Sequence, residues 1–312
     1  MPSRRQSRKF SIKLPATSAN LGPAFDAAAL AFDLHLKLEA QGTREYSIQA
    51  TGRDAEICGN LENHLILTTY REVLNAAKRP ASPLALKIDN DIPIGKGCGS
   101  SAAARLAGIA LADHFGGLRW TDAQIVGEAS RREHHPDNAS ACWMGGLTVA
   151  RMSGESEAQV ARIAPRGKWP LLLAVPPEPL STEKARAVLP LQYSRADAVV
   201  NIQNSMLLLA AFMQSKPEFL EAALEDRIHQ PFRSPLCPLL PGMAGFERGQ
   251  GILGTALSGA GPSVLIFLDP RSKQPPKRIA AKVAAYLKAK NLSAELFLTT
   301  IASKGAAASR KG

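Results

Sequence analysis

The run Pro93-Ile-Gly-Lys-Gly-Cys-Gly-Ser-Ser-Ala-Ala103 constrains this chain more than any other stretch. Its alternating glycines, Gly95, Gly97 and Gly99, carry no Cβ, so the backbone can turn several N–H groups toward one point. Ser100 and Ser101 then open an Ala-rich segment, residues 100–115, whose composition predicts a helix. A helix start offers unpaired amides and the positive end of the helix dipole, and both favour a phosphate. A serine hydroxyl placed there can also ligate the magnesium ion that accompanies a nucleoside triphosphate. The spacing is neither the Walker pattern, which needs Lys-Ser/Thr after its last glycine, nor the dinucleotide fingerprint. By itself the loop fits either a phosphate cradle or a flexible turn capped by serine.

Around the loop, residues 10–15, 34–39 and 46–50 alternate apolar and polar side chains, which predicts strands in an opening β-meander. Residues 63–78 place Ile66, Tyr70, Val73, Leu74 and Ala77 on one helical face. A short strand is expected at 85–88. Thr121 and Gln124 have capping-box spacing ahead of a helix running to about Arg132. Residues 146–152 and 169–175 read as strands. Helices are expected at 182–188, 197–213, 217–224 and 276–290, a strand pair around the Gly/Ser loop within 251–269, and a final strand at 294–299. Strands and helices mix without strict βαβ alternation, so the expected class is α+β. Polar, turn-rich residues 155–168 suggest a boundary, dividing the chain into a first half, 10–160, and a second half, 161–301.

The formal net charge is +11, and seven of these charges sit in residues 1–9 and 302–312, which contain no acid. Both ends are therefore expected as disordered basic tails, leaving a mildly basic body of +4. Aromatics are only 5% of the chain, too few to interleave with basic residues along a nucleic-acid face, so no nucleic-acid partner is expected. No run approaches the roughly 20 uninterrupted apolar residues of a membrane span, and the basic start has no apolar core of a secretory signal. Cys58, Cys98, Cys142 and Cys237 are far apart and show no zinc spacing, which suits reduced thiols in a cytoplasmic protein.

The glycine loop resembles the second motif of the GHMP kinases, the superfamily of galactokinase, homoserine, mevalonate and phosphomevalonate kinases. Pro15-Ala-Thr-Ser-Ala-Asn-Leu-Gly-Pro-Ala-Phe-Asp26 is similar to the homoserine kinase version of its first motif, and Ser258-Gly-Ala-Gly-Pro-Ser263 to its third. The three lie in the family's order and span nearly the whole chain. His135-Pro-Asp-Asn138, residues 181–190 and His229-Gln-Pro-Phe-Arg233 also resemble homoserine kinase segments. The resemblance implies a two-domain fold with mixed and antiparallel sheets and an ATP site in the cleft. It implies phosphorylation of L-homoserine with ATP and Mg2+, a step of threonine biosynthesis, and allows a homodimer. Another superfamily kinase acting on a different hydroxylated metabolite, and a non-catalytic ligand sensor, are the alternatives.

Carried onto this chain, the nucleotide contacts are Pro93, Gly95, Lys96, Gly97, Cys98, Gly99, Ser100, Ser101 and Ala102, with Gly259 and Gly261 closing the site and Asn63 near the base. Ser101 and Glu128 are the expected metal ligands, with Glu133 the competitor to Glu128. Arg186 and Arg233 would take the substrate carboxylate, because a guanidinium binds it in a bidentate fork. Asn20, Asp26 and His135 would hold the amino and hydroxyl groups, and Thr182 would line the same pocket. Asn138 stands where some relatives have a catalytic aspartate, so positioning without a strong base is implied; Asp137 is expected to fix the turn. Ala24 and His134 replace glycines usual in the family.

Overall fold

The alternation at residues 10–15 and 34–39 is the visible part of two much longer strands. In the computed structural model, which describes residues 9–246 and 250–312, β1 (Lys9–Asn20) and β2 (Ala24–Gly42) run antiparallel, from Lys9 opposite Gln41 to Asn20 opposite Ala24. With β3 (Ser47–Gly52), β4 (Leu84–Asn90), β5 (Leu147–Met152) and β6 (Ala158–Ile163) they form a six-stranded sheet. Its order is β3-β4-β2-β5-β6, with β1 on β2.

The opening is not a meander. The stretch of β2 from Leu36 to Gly42 already has β1 on one edge and β4 on the other, so β3 joins the sheet by pairing parallel to β4. Five helices accompany this sheet: α1 (Ala55–Gly59), α2 (Leu65–Ala76), α3 (Ser100–Gly116), α4 (Asp122–Glu133) and α5 (Asp137–Met144). The Thr121 hydroxyl accepts from the Gln124 amide and the Gln124 side chain accepts from the Thr121 amide, so the expected capping box starts α4.

A second, wholly antiparallel sheet contains β7 (Pro170–Val175), β8 (Ile252–Leu257), β9 (Val264–Leu268) and β10 (Glu295–Thr300) in the order β10-β7-β9-β8. With it go α6 (Thr182–Ala187), α7 (Arg195–Gln214), α8 (Pro217–Ala223), α9 (Gln230–Arg233), α10 (Leu239–Met243) and α11 (Pro276–Ala289). Leu171, Leu173, Leu265 and Phe267 join the large core shared with the first sheet. Leu172, Ala174, Val264 and Ile266 face a second core completed by Ile279, Val283 and Leu287 of α11. Burial on both faces explains why these strands read as unbroken apolar runs. The mixture of sheets and helices is α+β. The first sheet ends at Ile163 and the second starts at Pro170, so β6 runs across the expected boundary at 160.

The expectation of a disordered C-terminal tail fails. Residues 302–312 fold back over the first sheet: Ser11 and Lys311 exchange backbone hydrogen bonds of 2.9 and 3.0 Å, and the Ser309 hydroxyl donates to the Lys13 carbonyl at 2.9 Å. Ala306 is fully buried, and Arg310 pairs with the buried carboxylate of Asp113. Basic charge without acid suggested disorder, yet Gly305 passes close to the backbone at Trp143 and Gly145, where a Cβ would stand 2.3 Å from the Trp143 carbonyl oxygen. The expected N-terminal tail, apart from Lys9, lies outside the described residues. Ending the chain at Ser303 should lower the melting temperature by about 5 °C, since Asp113 would lose its charged partner inside the protein. A thermal melt showing no change would return this segment to the status of a loose tail.

Candidate functional site

The glycine-loop backbone is left-handed at Gly97 (φ 76°) and Gly99 (φ 72°), and both positions are closed to side chains. A Cβ on Gly97 would stand 2.2 Å from the Ser258 carbonyl oxygen, and one on Gly99 would stand 1.9 Å from Thr17 Oγ1. This close approach lets three distant segments bond to one another. The Thr17 amide donates to the Cys98 carbonyl at 3.1 Å, and the Ser258 hydroxyl donates to the Gly97 carbonyl at 2.7 Å. The Gly259 amide donates to the Ala19 carbonyl at 3.2 Å, and Asn20 Nδ2 to the Gly259 carbonyl at 2.8 Å.

The loop delivers the chain into α3 with Gly99 as a cap that offers no side chain. The cleft of about 100 Å3 in front of it is lined by Gly95, Gly97, Gly99, Ser100, Ser101 and Ala102, and from the third motif by Gly259 and Gly261. Cys98 is buried instead, its thiol pushed up to about 12 by burial, and Lys96 turns aside to the Pro177 carbonyl. Pro93 is buried at the entry to the loop and does not line the cleft. Asn63 lies in an adjoining cleft of about 620 Å3 with Cys58, His64, Ile66, Ile92 and Ile94; the two clefts share Gly95, Ser100 and Ser101.

Glu133, rather than Glu128, stands beside Ser101. The Ser101 hydroxyl donates to Glu133 Oε1 at 2.7 Å, and Arg105 Nε donates to the same oxygen at 2.5 Å. Glu128 faces away and is held by Arg131 (2.8 and 2.9 Å) and Arg132 (2.7 Å). Burial alone would raise its pKa, but the two guanidiniums outweigh burial and hold it below the usual value. Five residues along one helix amount to a rotation of about 140°, so only one of the two acids can face α3. Glu128 is thereby corrected as a candidate metal ligand.

The substrate-side residues also converge on the first cleft, but two of them pair with each other. Asp26 accepts from Arg186 Nη1 at 3.1 Å and Nη2 at 2.7 Å, so the expected carboxylate and amino ligands form one bidentate ion pair. Arg233 is 1% exposed and donates to the Ala185 carbonyl (2.9 Å) and His229 Nδ1 (3.2 Å). Burial, then the nearby charge of Arg186, pulls its pKa below the ordinary value. Both guanidiniums lie over the ring of Phe25, at 5.5 Å for Arg186 and 5.3 Å for Arg233. Thr182, at the start of α6, lines the rim.

The third cluster comes from the turn into α5. His135 Nδ1 lies 2.6 Å from Asp137 Oδ1, which also accepts from the Asn138 amide at 2.5 Å, while Asn138 Oδ1 accepts from the Thr17 hydroxyl at 2.7 Å. Ligating atoms of Asp26, His135 and Asp137 fall within 4.8 Å of one another. Their hydrogen bonds to each other and to Arg186 already occupy this set. His134 takes the left-handed conformation (φ 67°) that ends α4, the position where glycine is usual, whereas Ala24 has no positive φ.

Sequence reasoning passed over Thr17, Phe25, His229 and Asp226. His229 Nε2 donates to the Gly22 carbonyl at 2.8 Å, which leaves Nδ1 to accept from Arg233. Asp226 accepts from the amides of Ile228, His229 and Gln230 and holds that turn. Phe25 and His229 lay inside quoted motifs; nothing local marked Asp226.

Comparison with known proteins identifies the family. Residues 64–146 match the family model of the GHMP kinases N terminal domain. A homoserine kinase of Solibacter usitatus is 43% identical over 262 residues, covering 83% of this chain and 85% of that protein. One from Desulfitobacterium hafniense is 34% identical over 298 residues, 95% of this chain and 98% of that protein. Among solved structures, the crystal structure of homoserine kinase from Cytophaga hutchinsonii superimposes with a TM-score of 0.77 at 22% identity, covering 98% of both chains. The chain belongs to the homoserine kinase family of the GHMP kinase superfamily.

Proposed function

We propose that this chain transfers the γ-phosphoryl group of ATP to the side-chain hydroxyl of L-homoserine, releasing ADP and O-phospho-L-homoserine. The observation that carries the reading is the placement of Asp26, Arg186 and Arg233 in the same cleft as the open start of α3. A zwitterionic amino acid needs both signs of charge, and here they stand beside a phosphate cradle. With homoserine bound, its ammonium turns to Asp26 and its carboxylate to Arg186 and Arg233, while Asn20, His135 and Thr182 line the remaining wall.

The adjoining apolar cleft fits the nucleotide base. The Cys58 carbonyl can only accept, so His64 Nε2 carries the hydrogen of their 3.0 Å bond and Nδ1 is an acceptor, which is buried without a protein partner. Burial lowers the pKa of this imidazole and keeps it neutral. The exocyclic amine of adenine is a donor of the kind this end of the cleft lacks.

Ser101 and Glu133 offer a hydroxyl and a carboxylate at the phosphate end, a donor set that suits a small, hard cation. Magnesium held there would neutralise charge on the phosphate oxygens. The protein's own contribution is positioning: α3 amides face the phosphates, and the charged residues hold the acceptor in line. The homoserine oxygen forms the new bond to phosphorus as the bond to the leaving ADP oxygen breaks, and the hydroxyl proton passes to a phosphoryl oxygen and from there to water. Asn138 cannot accept a proton and the Asp137 carboxylate is occupied, so electrostatics and alignment carry the step without a strong base. The four cysteines are buried and free, which accords with a reducing cytoplasm.

His135 reports on the acceptor side through pH. Burial disfavours its charged form, but the hydrogen bond and charge of Asp137 outweigh burial and raise its pKa above the ordinary 6.5. The stabilisation from this pair is therefore complete below about pH 6.5 and disappears as pH rises through the folded-state value. In Asp137→Asn the burial remains without the compensating charge, so NMR titration of the His135 ring should move its pKa below 6.5. An unchanged titration would show that Asp137 does not set this charge.

Purified protein with Mg-ATP should phosphorylate L-homoserine in preference to mevalonate, galactose and L-serine; absence of turnover on the whole panel would refute the kinase assignment. Glu133→Gln should lower kcat by about ten- to a hundredfold and raise the magnesium requirement, while Glu128→Gln leaves both near the parent values. The opposite pattern in a magnesium titration would restore Glu128 as the ligand.

A further inference from the structure

Thr17 stands where three site-forming segments join, yet it does not reach the cleft. It is fully buried in β1 and is not among the residues that line the site. Its amide donates to the Cys98 carbonyl at 3.1 Å, and its hydroxyl donates to Asn138 Oδ1 at 2.7 Å. Gly99 seals the other side, because a Cβ there would stand 1.9 Å from Thr17 Oγ1 and 3.3 Å from Asn138 Oδ1. The first motif, the glycine loop and the turn into α5 thus meet at one hydroxyl.

That hydroxyl decides which way an amide points. An asparagine side chain has an oxygen that accepts and a nitrogen that donates, and a half-turn about its last bond exchanges them. Asn138 Nδ2 lies 3.3 Å from Asp137 Oδ1, and a carboxylate oxygen only accepts. The atom facing Asp137 is therefore the nitrogen, the atom facing Thr17 is the oxygen, and the Thr17 hydroxyl is the donor. Asp137 Oδ1 is a weak anchor for Nδ2, since it is shared with the His135 ring at 2.6 Å and the Asn138 backbone amide at 2.5 Å. The shorter bond from Thr17 is the firmer hold on this side chain. Nδ2 carries two hydrogens. One is directed to Asp137, and the other has no partner among the described residues, although Asn138 lines the cleft.

We propose that Thr17 is a positioning residue for phosphoryl transfer, holding Asn138 with its free N–H toward a phosphoryl oxygen and its carbonyl dipole away from it. The proposal rests on the kinase reading above and gives Asn138 a role that suits its chemistry. The amide withdraws no proton; it donates a hydrogen bond to an oxygen that carries negative charge. With the amide reversed, its own oxygen would face that charge and repel it. A donor fixed beforehand needs no reorientation during the reaction, and in a site shielded from water this is where such groups act most strongly. The hydroxyl carries the effect and the methyl group does not, so serine can stand in for Thr17 and valine cannot.

Thr17→Val keeps the shape of the side chain and removes the donor. In the full chain it should lower kcat about ten- to thirtyfold, with KM for ATP and for homoserine within about threefold of the parent, whereas Thr17→Ser keeps kcat within about threefold. Thr17→Ala, which leaves slack in place of a methyl group, should repeat the valine pattern. Because Thr17 acts through Asn138, Thr17→Val should add no further loss in Asn138→Ala, while a role in packing alone would lower both backgrounds equally. The side-chain amide resonances of Asn138 in the substrate-free protein, identified by their loss in Asn138→Ala, give a reading independent of turnover. They should shift in Thr17→Val and keep the parent positions in Thr17→Ser. Parent-like kcat in Thr17→Val and Thr17→Ala overturns the proposal, and so do additive losses in the double variant or Asn138 resonances that do not respond. A parent protein that does not turn over homoserine would instead refute the acceptor assignment, and the resonances would still judge Thr17.

Discussion

Backbone-to-backbone approach at Gly97 and Gly99 is the constraint on which the rest of the molecule depends. The carbonyls of Ala19, Gly97 and Cys98 are met by the Gly259 amide, the Ser258 hydroxyl and the Thr17 amide, and so three segments separated by up to about 240 positions become one unit. No side chain larger than hydrogen fits at either glycine. Because each contact satisfies a main-chain carbonyl inside the protein, it would cost more to leave unmade than it contributes when formed, which makes the junction rigid. That rigidity aims the first turn of α3 and carries Ser101 to Glu133.

The second organising feature is charge placed where water is scarce. Arg233 is almost wholly buried and survives there because a carbonyl, the His229 ring and the face of Phe25 surround it. Its neighbour Arg186 is half-exposed and neutralised by Asp26. One guanidinium is thus fixed by neutral groups, while the other is held by a charged partner. In the proposed reaction such a cleft would contribute alignment rather than a strong base.

Several elements were legible locally for clear physical reasons. Alternation marked β1 and β2, the Thr121–Gln124 spacing marked the start of α4, and unbroken apolar runs marked β7 and β9, which are covered on both faces. The misreadings share a cause. Residues 302–312 look disordered because they are basic and contain no acid, yet Gly305 makes a close approach to Trp143 that only the folded neighbour reveals. The parallel pairing of β3 with β4 depended on both edges of β2 being taken, which no property of residues 46–50 announces.

What the sequence determined by itself was residue chemistry and membership: a glycine loop ahead of a helix, two guanidiniums and a carboxylate, and three motifs in family order. What only the tertiary structure decided was partnership. Whether Glu128 or Glu133 meets Ser101 depends on the rotational phase of α4 against α3, and about 140° of helix separates the two answers. Asp26 and Arg186, 160 residues apart, were both read as ligands for substrate, but only the fold could bring them together as ligands for each other. Local pattern encodes what a residue can do, while the packing of elements distant in the chain selects the neighbour with which it does it.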